Sequence, residues 1–314
     1  MEVYAVIVTY NGMRWYDHCL GSLRDSDLHV STIVVDNAST DNTADYIKEN
    51  FPDVHLISSG RNLGFAKANN IGIRYAIDNE ADYVFLLNQD AWIEKDTLSK
   101  LVKTFEENTD AGIVSPIHLN GSYTGLDWGF ASYMKPVFVS DLYVKQLKPC
   151  YEVPLVNAAA WLLSAHCIKT VGGFDTHLFL HYGEDYNYCQ RVKYHSFRIL
   201  INTRCTICHD REQRKDNEAA YRKIMIEKNP GMMEKVIYGD INIDYNINRI
   251  LLKKYVFLVL SCLGMSFKRI NIYKTSIAAL RDVKYSREKN KQIGLTWLSQ
   301  ERTIFYDFLR NNGL

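Results

Sequence analysis

The sequence contains no apolar run of about 18 residues, so a membrane-spanning helix is not expected. It shows no basic segment ahead of its first apolar stretch. Glu2 leads straight into Val3-Tyr4-Ala5-Val6-Ile7-Val8, which reads as a buried strand and not as a secretion signal. Without such a signal the sequons at Asn37 and Asn120 read as chance matches. Charge of one sign is not in excess: 37 Lys and Arg face 36 Asp and Glu, which argues against a general nucleic-acid binder. The seven cysteines are odd in number and scattered, a set suited to a reducing cytoplasm and not to a disulfide scaffold. No internal repeat and no low-complexity linker is present. The first strand is followed by Tyr10-Asn11-Gly12-Met13-Arg14 where a dinucleotide-binding enzyme would carry G-x-G-x-x-G. No G-x-S-x-G elbow and no Walker loop occurs either.

What is there is an alternation. Apolar, β-branched runs at Val3–Thr9, Thr32–Asp36, Val54–Ser58, Tyr83–Asn88 and Gly112–Pro116 predict strands. Helical patterns lie between them at Met13–Arg24, Asp41–Asn50, Phe65–Ile77 and Lys95–Glu107. This rhythm predicts right-handed βαβ units and a mostly parallel sheet covered on both faces. Further on, Pro154–Leu163 predicts a buried strand and Ala165–Val171 a short helix stopped by Gly172-Gly173. A helix is expected at Glu184–Lys193, two strands at Phe197–Ile201 and Cys205–Cys208, and largely helical chain after Asp216. Gly121–Glu152, irregular and rich in Tyr, Trp and Gly, reads as short antiparallel strands or a mobile acceptor-side loop.

In such sheets ligands lie beyond the C-terminal ends of the strands. That rule directs attention to Thr9-Tyr10-Asn11, Asp36-Asn37 and Asn88-Gln89-Asp90, each of which ends a predicted strand. Asp36 and Asn37 can meet a nucleotide, whereas Ser39, Thr40 and Asp41 suit a helix cap. Asp90 is either a turn residue or a hard oxygen ligand for Mg²⁺ or Mn²⁺, which commonly bridge a protein carboxylate to substrate phosphates. Glu184 and Asp185 open a helix, where carboxylates complement the dipole; alternatively one of them is a general base. Asn62, Gly64, Lys67 and Asn70 border a helix start that meets either a diphosphate or solvent. Trp161 is either core or a stacking platform for a sugar. Cys205-Thr206-Ile207-Cys208-His209 matches haem attachment only formally. Strand cysteines followed by a site-facing His209 fit it better.

The order Val6-Ile7-Val8-Thr9-Tyr10-Asn11, Val34-Val35-Asp36-Asn37-Ala38-Ser39-Thr40-Asp41, Asn62-Leu63-Gly64-Phe65 with Asn70, Leu86-Leu87-Asn88-Gln89-Asp90, Gly172-Gly173-Phe174-Asp175 and Gly183-Glu184-Asp185 resembles the family 2 glycosyltransferases, nearest their bacterial rhamnosyltransferase-like branch. The resemblance covers roughly residues 3–210. It implies an α/β, GT-A nucleotide-diphospho-sugar transferase fold with a helical C-terminal extension. It also implies that Thr9, Asp36 and Asn37 hold the base and ribose and that Asp90 ends the metal-binding motif; Tyr10, Asn11, Asn62, Gly64, Asn70, Asn88 and Gln89 join them as nucleotide-binding candidates on the strand-end and helix-start reading. Asp185 falls at the position of the base in an inverting displacement; Trp161 and Glu184, on the reading of the residues themselves, are the candidates for the acceptor or sugar side. The family motif often carries a second acidic residue where Asn88-Gln89 stand. A second metal ligand is therefore wanted, and His209 is the candidate.

These readings divide the chain into a catalytic domain at 1–215 and a helical extension at 216–314. Between Tyr245 and Lys291 eleven Lys and Arg accompany two Asp and Glu, so a basic segment follows a mildly acidic body. Within it Ile250–Phe267 is apolar and flanked by Lys253-Lys254 and Lys268-Arg269. It is read as either a buried packing helix or an interfacial helix on anionic lipid. The expected partners are a nucleotide-sugar donor and a saccharide or lipid-linked saccharide acceptor. The expected location is cytoplasmic, with peripheral contact at the inner face of the membrane as the further reading. The rivals are an inactive nucleotide-sugar-binding scaffold and an NAD-dependent oxidoreductase.

Overall fold

A computed structural model of the chain describes residues 1–179, 182–211 and 231–294. Its first part runs β1 (Val3–Thr9), a 3-10 turn at Met13–Trp15, α1 (Tyr16–Arg24), β2 (Ser31–Asp36), α2 (Thr43–Asn50), β3 (His55–Ser58), α3 (Phe65–Asp78) and β4 (Tyr83–Leu87). Then come β5 (Ala91–Ile93), α4 (Thr97–Glu107), β6 (Ala111–Asn120), α5 (Trp128–Ala131), α6 (Pro136–Tyr143) and β7 (Cys150–Glu152). The α/β body closes with β8 (Ala160–Ser164), α7 (Ala165–Val171), α8 (Glu184–Tyr194) and β9 (Arg198–His209). Three more helices follow: α9 (Met232–Gly239), α10 (Ile247–Leu263) and α11 (Phe267–Asn290).

The strands form one sheet in the order β3-β2-β1-β4-β8-β6-β9-β5, with β7 added on β9. β1 to β4, β6 and β9 run one way; β5, β7 and β8 run against them. The sheet is thus mixed but mostly parallel. Both faces are covered, as continuous apolar strands require. Val6, Ile33, Val35 and Trp161 pack under α3, α7 and α8, while Ile7, Val34, Phe85 and Leu162 pack under α1, α2 and α4. Register decides where the polar strand ends meet. Thr9 pairs with Asp36, Asp36 with Ser58, and Val6 with Leu86, so the C-terminal ends of β1, β2 and β4 share one edge.

Several local expectations are corrected. α2 begins at Thr43, not Asp41, because the Asp41 carboxylate accepts from the Thr43 N–H (3.1 Å) and stays outside the helix. The strand expected over Pro154–Leu163 is confined to β8. The two strands expected around Asn202-Thr203-Arg204 are one. β9 continues through them by a shift in its register with β6, from Pro116↔Asn202 to Ile117↔Thr206. Gly121–Glu152 is neither strands alone nor loop alone: it holds α5, capped by the Asp127 carboxylate on the Phe130 N–H (2.8 Å), then α6 with Pro136 in its first turn, then β7. Among the described residues α10 is half-buried: Ile247 and Ser261 are buried, Ile250 and Leu251 pack against the cluster around Leu178 and Val283, Phe257 stacks on Tyr273 of α11, and the opposite face is exposed. The boundary drawn at 215/216 and the helical reading of 216–230 and 295–314 lie outside the described residues.

Candidate active site

Thr9, at the end of β1, is fully buried and donates its hydroxyl to Gln89 Oε1 (2.8 Å); it also accepts from the Tyr16 hydroxyl. The same Gln89 oxygen accepts from the Tyr10 N–H (3.0 Å). A Cβ on Gly12 would fall 2.3 Å from Gln89 Oε1, so any larger residue there would displace this amide from Thr9. Asp36 is buried beside Thr9, and its Oδ1 accepts from the Ser39 N–H (3.1 Å). Thr9, Asp36 and Gln89 therefore form one floor at the strand ends.

Asp90, buried after β4, faces His209 at the end of β9. Asp90 Oδ1 is 3.4 Å from His209 Nε2, and Asn88 Nδ2 is 3.4 Å from the same nitrogen. Pairing of Ala91 with His209 in the β5–β9 ladder holds the two in place, reinforced by the Asp210 N–H donating to Asp90 O (2.8 Å). On the other side of the ring, Nδ1 is 3.6 Å from Asp127 Oδ2 and 3.4 Å from Arg211 Nε. Arg211 Nε also pairs with Asp127 Oδ2 at 3.2 Å.

A divalent cation would fit between Asp90 and His209. Two adjacent ligands at about 2.1 Å from an octahedral ion are about 3 Å apart, close to the observed separation. For Nε2 to ligate, the ring proton would have to sit on Nδ1, and the Arg211 Nε–H that now points at Nδ1 (3.4 Å) would have to turn to Asp127 Oδ2, 3.2 Å away. Among the described residues no group of three or more acidic, His or Cys side chains could hold a metal alone. Phosphate oxygens and water would have to complete the shell, which is the usual habit of Mg²⁺.

Asp185 lies in the first turn of α8, after Gly183, whose φ of 95° and closeness to Phe179 demand glycine. The carboxyl is partly exposed and accepts from the Tyr186 N–H (2.9 Å). Burial pushes it up to about 6, against the pull of backbone N–H groups and the Arg211 guanidinium. Arg211 thus links Asp185 electrostatically to the Asp127–His209–Asp90 group. Tyr133, packed edge-on against Tyr186 (6.3 Å), closes the same side, and burial with the Asp185 charge raises its hydroxyl. Glu184 is buried and its Oε2 has no hydrogen-bond partner; burial and then the Asp185 charge push it up to about 8.

Of the residues singled out from sequence, Thr9, Asp36, Asn88, Gln89, Asp90, His209 and Asp185 gather on this side of the sheet. Tyr10 is exposed at its rim. Asn11 instead organises the β2–α2 loop, its Oδ1 accepting from the Thr40 N–H (2.8 Å) and its N–H donating to Ser39 Oγ (2.9 Å). Asn37 donates to Asn62 Oδ1 (3.0 Å) and accepts from the Leu63 N–H (2.6 Å), while Asn62 Oδ1 also accepts from the Gly64 N–H (2.9 Å). These three shape the loop before α3.

Asn70 is a correction. It exchanges hydrogen bonds with Phe174, accepting from its N–H (2.7 Å) and donating to its O (2.9 Å), and so clamps the Gly172-Gly173 turn. Trp161 is a second correction. It is fully buried and stacks on Phe174 (6.2 Å, 24°), with no face left for a sugar. Glu184, the other acceptor-side candidate, is buried next to Asp185 with its Oε2 lacking a hydrogen-bond partner. Sequence reasoning missed Asp127, Tyr133 and Arg211. The first two lie in the segment without periodicity; Arg211 could have been found as the cation two residues past His209.

A neutral buried Glu184 has a consequence for stability. With the folded group raised above its unfolded value, its contribution is full at acid pH and is lost as pH rises through about 8. Glu184→Gln should therefore leave the melting temperature near pH 5 little changed and raise it by several degrees relative to the parent near pH 9. Parallel melting curves across that range would reject the buried-acid assignment.

Residues 4–149 match the family model described as Glycosyl transferase family 2. The chain is 28% identical over 202 residues to dTDP-rhamnosyl transferase RfbF of Shigella flexneri, covering 64% of this chain and 66% of that protein. It therefore spans just under two thirds of that relative's length. It is also 28% identical over 176 residues to the low-salt glycan biosynthesis hexosyltransferase Agl10 of Haloferax volcanii, covering 53% and 54% of the two chains. The fold is similar to S. aureus TarS 1-349 solved with UDP, with a TM-score of 0.53, 17% identity and 92% coverage of both chains. The mannosyltransferase PcManGT of Pyrobaculum calidifontis, solved with GDP-Man and Mn2+, gives a TM-score of 0.53 at 18% identity, covering 93% and 88%. Residues 4–149, which hold the first strands of the sheet, are thus the part of the chain that is similar to the family 2 glycosyltransferases.

Proposed function

We propose that this chain transfers a sugar, with inversion, from a UDP- or dTDP-sugar to the hydroxyl of a saccharide or lipid-linked saccharide acceptor in cell-surface polysaccharide synthesis. The observation that carries the reading is the placement of Asp36, Asp90 and Asp185 on one side of one sheet, joined through Thr9, Gln89, His209 and Arg211. Thr9 and Asp36 hold the nucleotide at the strand ends. Asp90 and His209 would hold Mg²⁺ or Mn²⁺, which when bound neutralises the diphosphate of the leaving group. Asp185 accepts the acceptor hydroxyl's proton as the new oxygen–carbon bond forms at the anomeric carbon. The bond from that carbon to the phosphate oxygen breaks, and the nucleoside diphosphate leaves. The catalytic unit is residues 1–215, with a helical extension that works at the inner face of the membrane. Among the described residues no helix is long and apolar enough to cross a membrane.

A thermal-shift screen of UDP-, dTDP- and GDP-sugars, with and without Mn²⁺, tests this. Ligand at about 100-fold its dissociation constant adds about 2.7 kcal/mol of apparent stability. Metal-dependent stabilisation by a nucleotide-sugar, with release of nucleoside diphosphate on adding acceptor, is the expected result. Stabilisation without transfer would favour the scaffold, and a response to NAD alone the oxidoreductase.

A further inference from the structure

The C-terminal hairpin leaves an apolar stripe uncovered. Leu252, Val256, Val259, Leu260 and Leu263 recur at helical spacing along α10, and all are more than half exposed. At the turn into α11, Leu263, Met265 and Phe267 are 76%, 80% and 81% exposed. Scattered single apolar residues are ordinary on a surface, but a continuous stripe ending in an apolar tip is not. The flanks supply a second observation. From Tyr245 to Arg281 the chain has seven Lys or Arg and no Asp or Glu. Of these Arg249, Lys253, Lys268, Arg269 and Lys274 are exposed.

The base of the hairpin is fixed to the catalytic body. Asn290 donates to Asp175 Oδ2 (2.8 Å) and its carbonyl lies 3.2 Å from His195 Nε2, while Arg287 ties α11 to α9 and the turn after it through the carbonyls of Tyr238, Asp240 and Ile243 (2.8, 2.6 and 2.7 Å). Ile277, Leu280 and Val283 bury the second half of α11. The first half of α11 is more exposed and pairs with α10, Phe257 stacking on Tyr273 at 5.7 Å. The tip therefore projects from a firmly attached stem.

We propose that this hairpin docks on an anionic bilayer, its Leu263–Phe267 tip entering the acyl boundary while the flanking cations meet lipid phosphates. Apolar insertion combined with cationic attraction is what reversible interfacial anchoring needs. An acid-free cationic rim selects a negatively charged surface, and it disfavours a second copy of the same basic face. The inference rests on the proposed function for its purpose: the attached stem would hold the strand-end site at a set height above a lipid-linked acceptor.

The test is flotation of the full chain with phosphatidylglycerol-containing vesicles and with phosphatidylcholine vesicles. The wild type should float with the first and not with the second, and less at high salt. Replacing Leu263, Met265 and Phe267 together by Glu should cut the floated fraction about tenfold or more. These side chains are exposed, so circular dichroism should be unchanged. Independently, an environment-sensitive dye on exposed Cys262, in a Cys150→Ser background, should shift to the blue on adding anionic vesicles.

A wild-type chain that stays at the bottom of the gradient with anionic vesicles overturns the proposal. So does equal flotation with neutral ones, undiminished flotation of the triple variant, or a dimer that the variant dissociates without any vesicle binding. Stabilisation by nucleotide-sugars, measured on the same samples, judges the transferase reading separately: a chain that binds donor but never floats removes only the docking.

Discussion

Asp185→Asn is expected to lower sugar transfer by about 10²–10⁴-fold while donor binding is retained, the range for loss of a general base. The substitution keeps the shape of the α8 start and its bond from the Tyr186 N–H. It removes only the capacity to take a proton. In the parent the rate should rise with pH through about 6, because burial raises this carboxyl and only its ionised form is a base. The apparent value belongs to the Glu184–Asp185 pair, with Glu184 still protonated in that range. The Asn variant should show no such step. Turnover within a few-fold of the parent, or an unchanged pH profile, would remove Asp185 from the mechanism.

Asp90→Ala should abolish the Mn²⁺-dependent part of nucleotide-sugar stabilisation and lower transfer by about 10²–10³-fold, the equivalent of several kcal/mol of charge stabilisation. The reason is the sparse ligand set. With Asn88 and Gln89 ahead of it, Asp90 is the carboxylate beside His209 Nε2, Asp127 lying on the Nδ1 side, and the rest of the shell must come from elsewhere. Titrating Mn²⁺ in a thermal-shift assay with a nucleotide-sugar present separates the two effects. If Asp90→Ala shows the same metal response as the parent, the cation is held by other groups.

The two variants probe different elements that the fold joins late in the chain. Asp90 follows β4, and Asp185 begins α8. What connects them is β9, which ends beside β5 and delivers His209 and then Arg211 between the two carboxylates. Asp127 completes the link from α5. A change at Asp127 would thus reach both sides of the site without either carboxylate being altered.

Much of the catalytic body was legible because its strands are continuous β-branched runs. Val3–Thr9 has the same limits in the sequence reading and in the structure, and β2, β3 and β4 differ by a residue at an end. The rule that ligands lie beyond parallel strand ends then located Thr9, Asp36 and Asp90 without any coordinates. The antiparallel parts were harder. β5 is three residues long, too short for any period to register, and its partner β9 runs through polar Asn202-Thr203-Arg204 by a register shift. α5 and α6 could have been suspected from the cap at Asp127 and from Pro136, but neither has the length for an amphipathic repeat.

Sequence alone determined the alternating architecture, the order of the motifs and the chemical types at the strand ends, because each of these is written in local period and composition. Tertiary structure alone decided which polar groups face one another. Asn70 and Trp161 carry the same chemistry as site residues, yet the packing of the Gly172-Gly173 turn and of β8 turns both inward. Asp127 reads locally as no more than a helix cap and Arg211 as a cation just past a strand, and both gain a place at the site only through strand pairings between residues far apart in the chain. Likewise the apolar run in α10 is equally suited to burial or exposure, and only its partner, α11, determines which face is left uncovered.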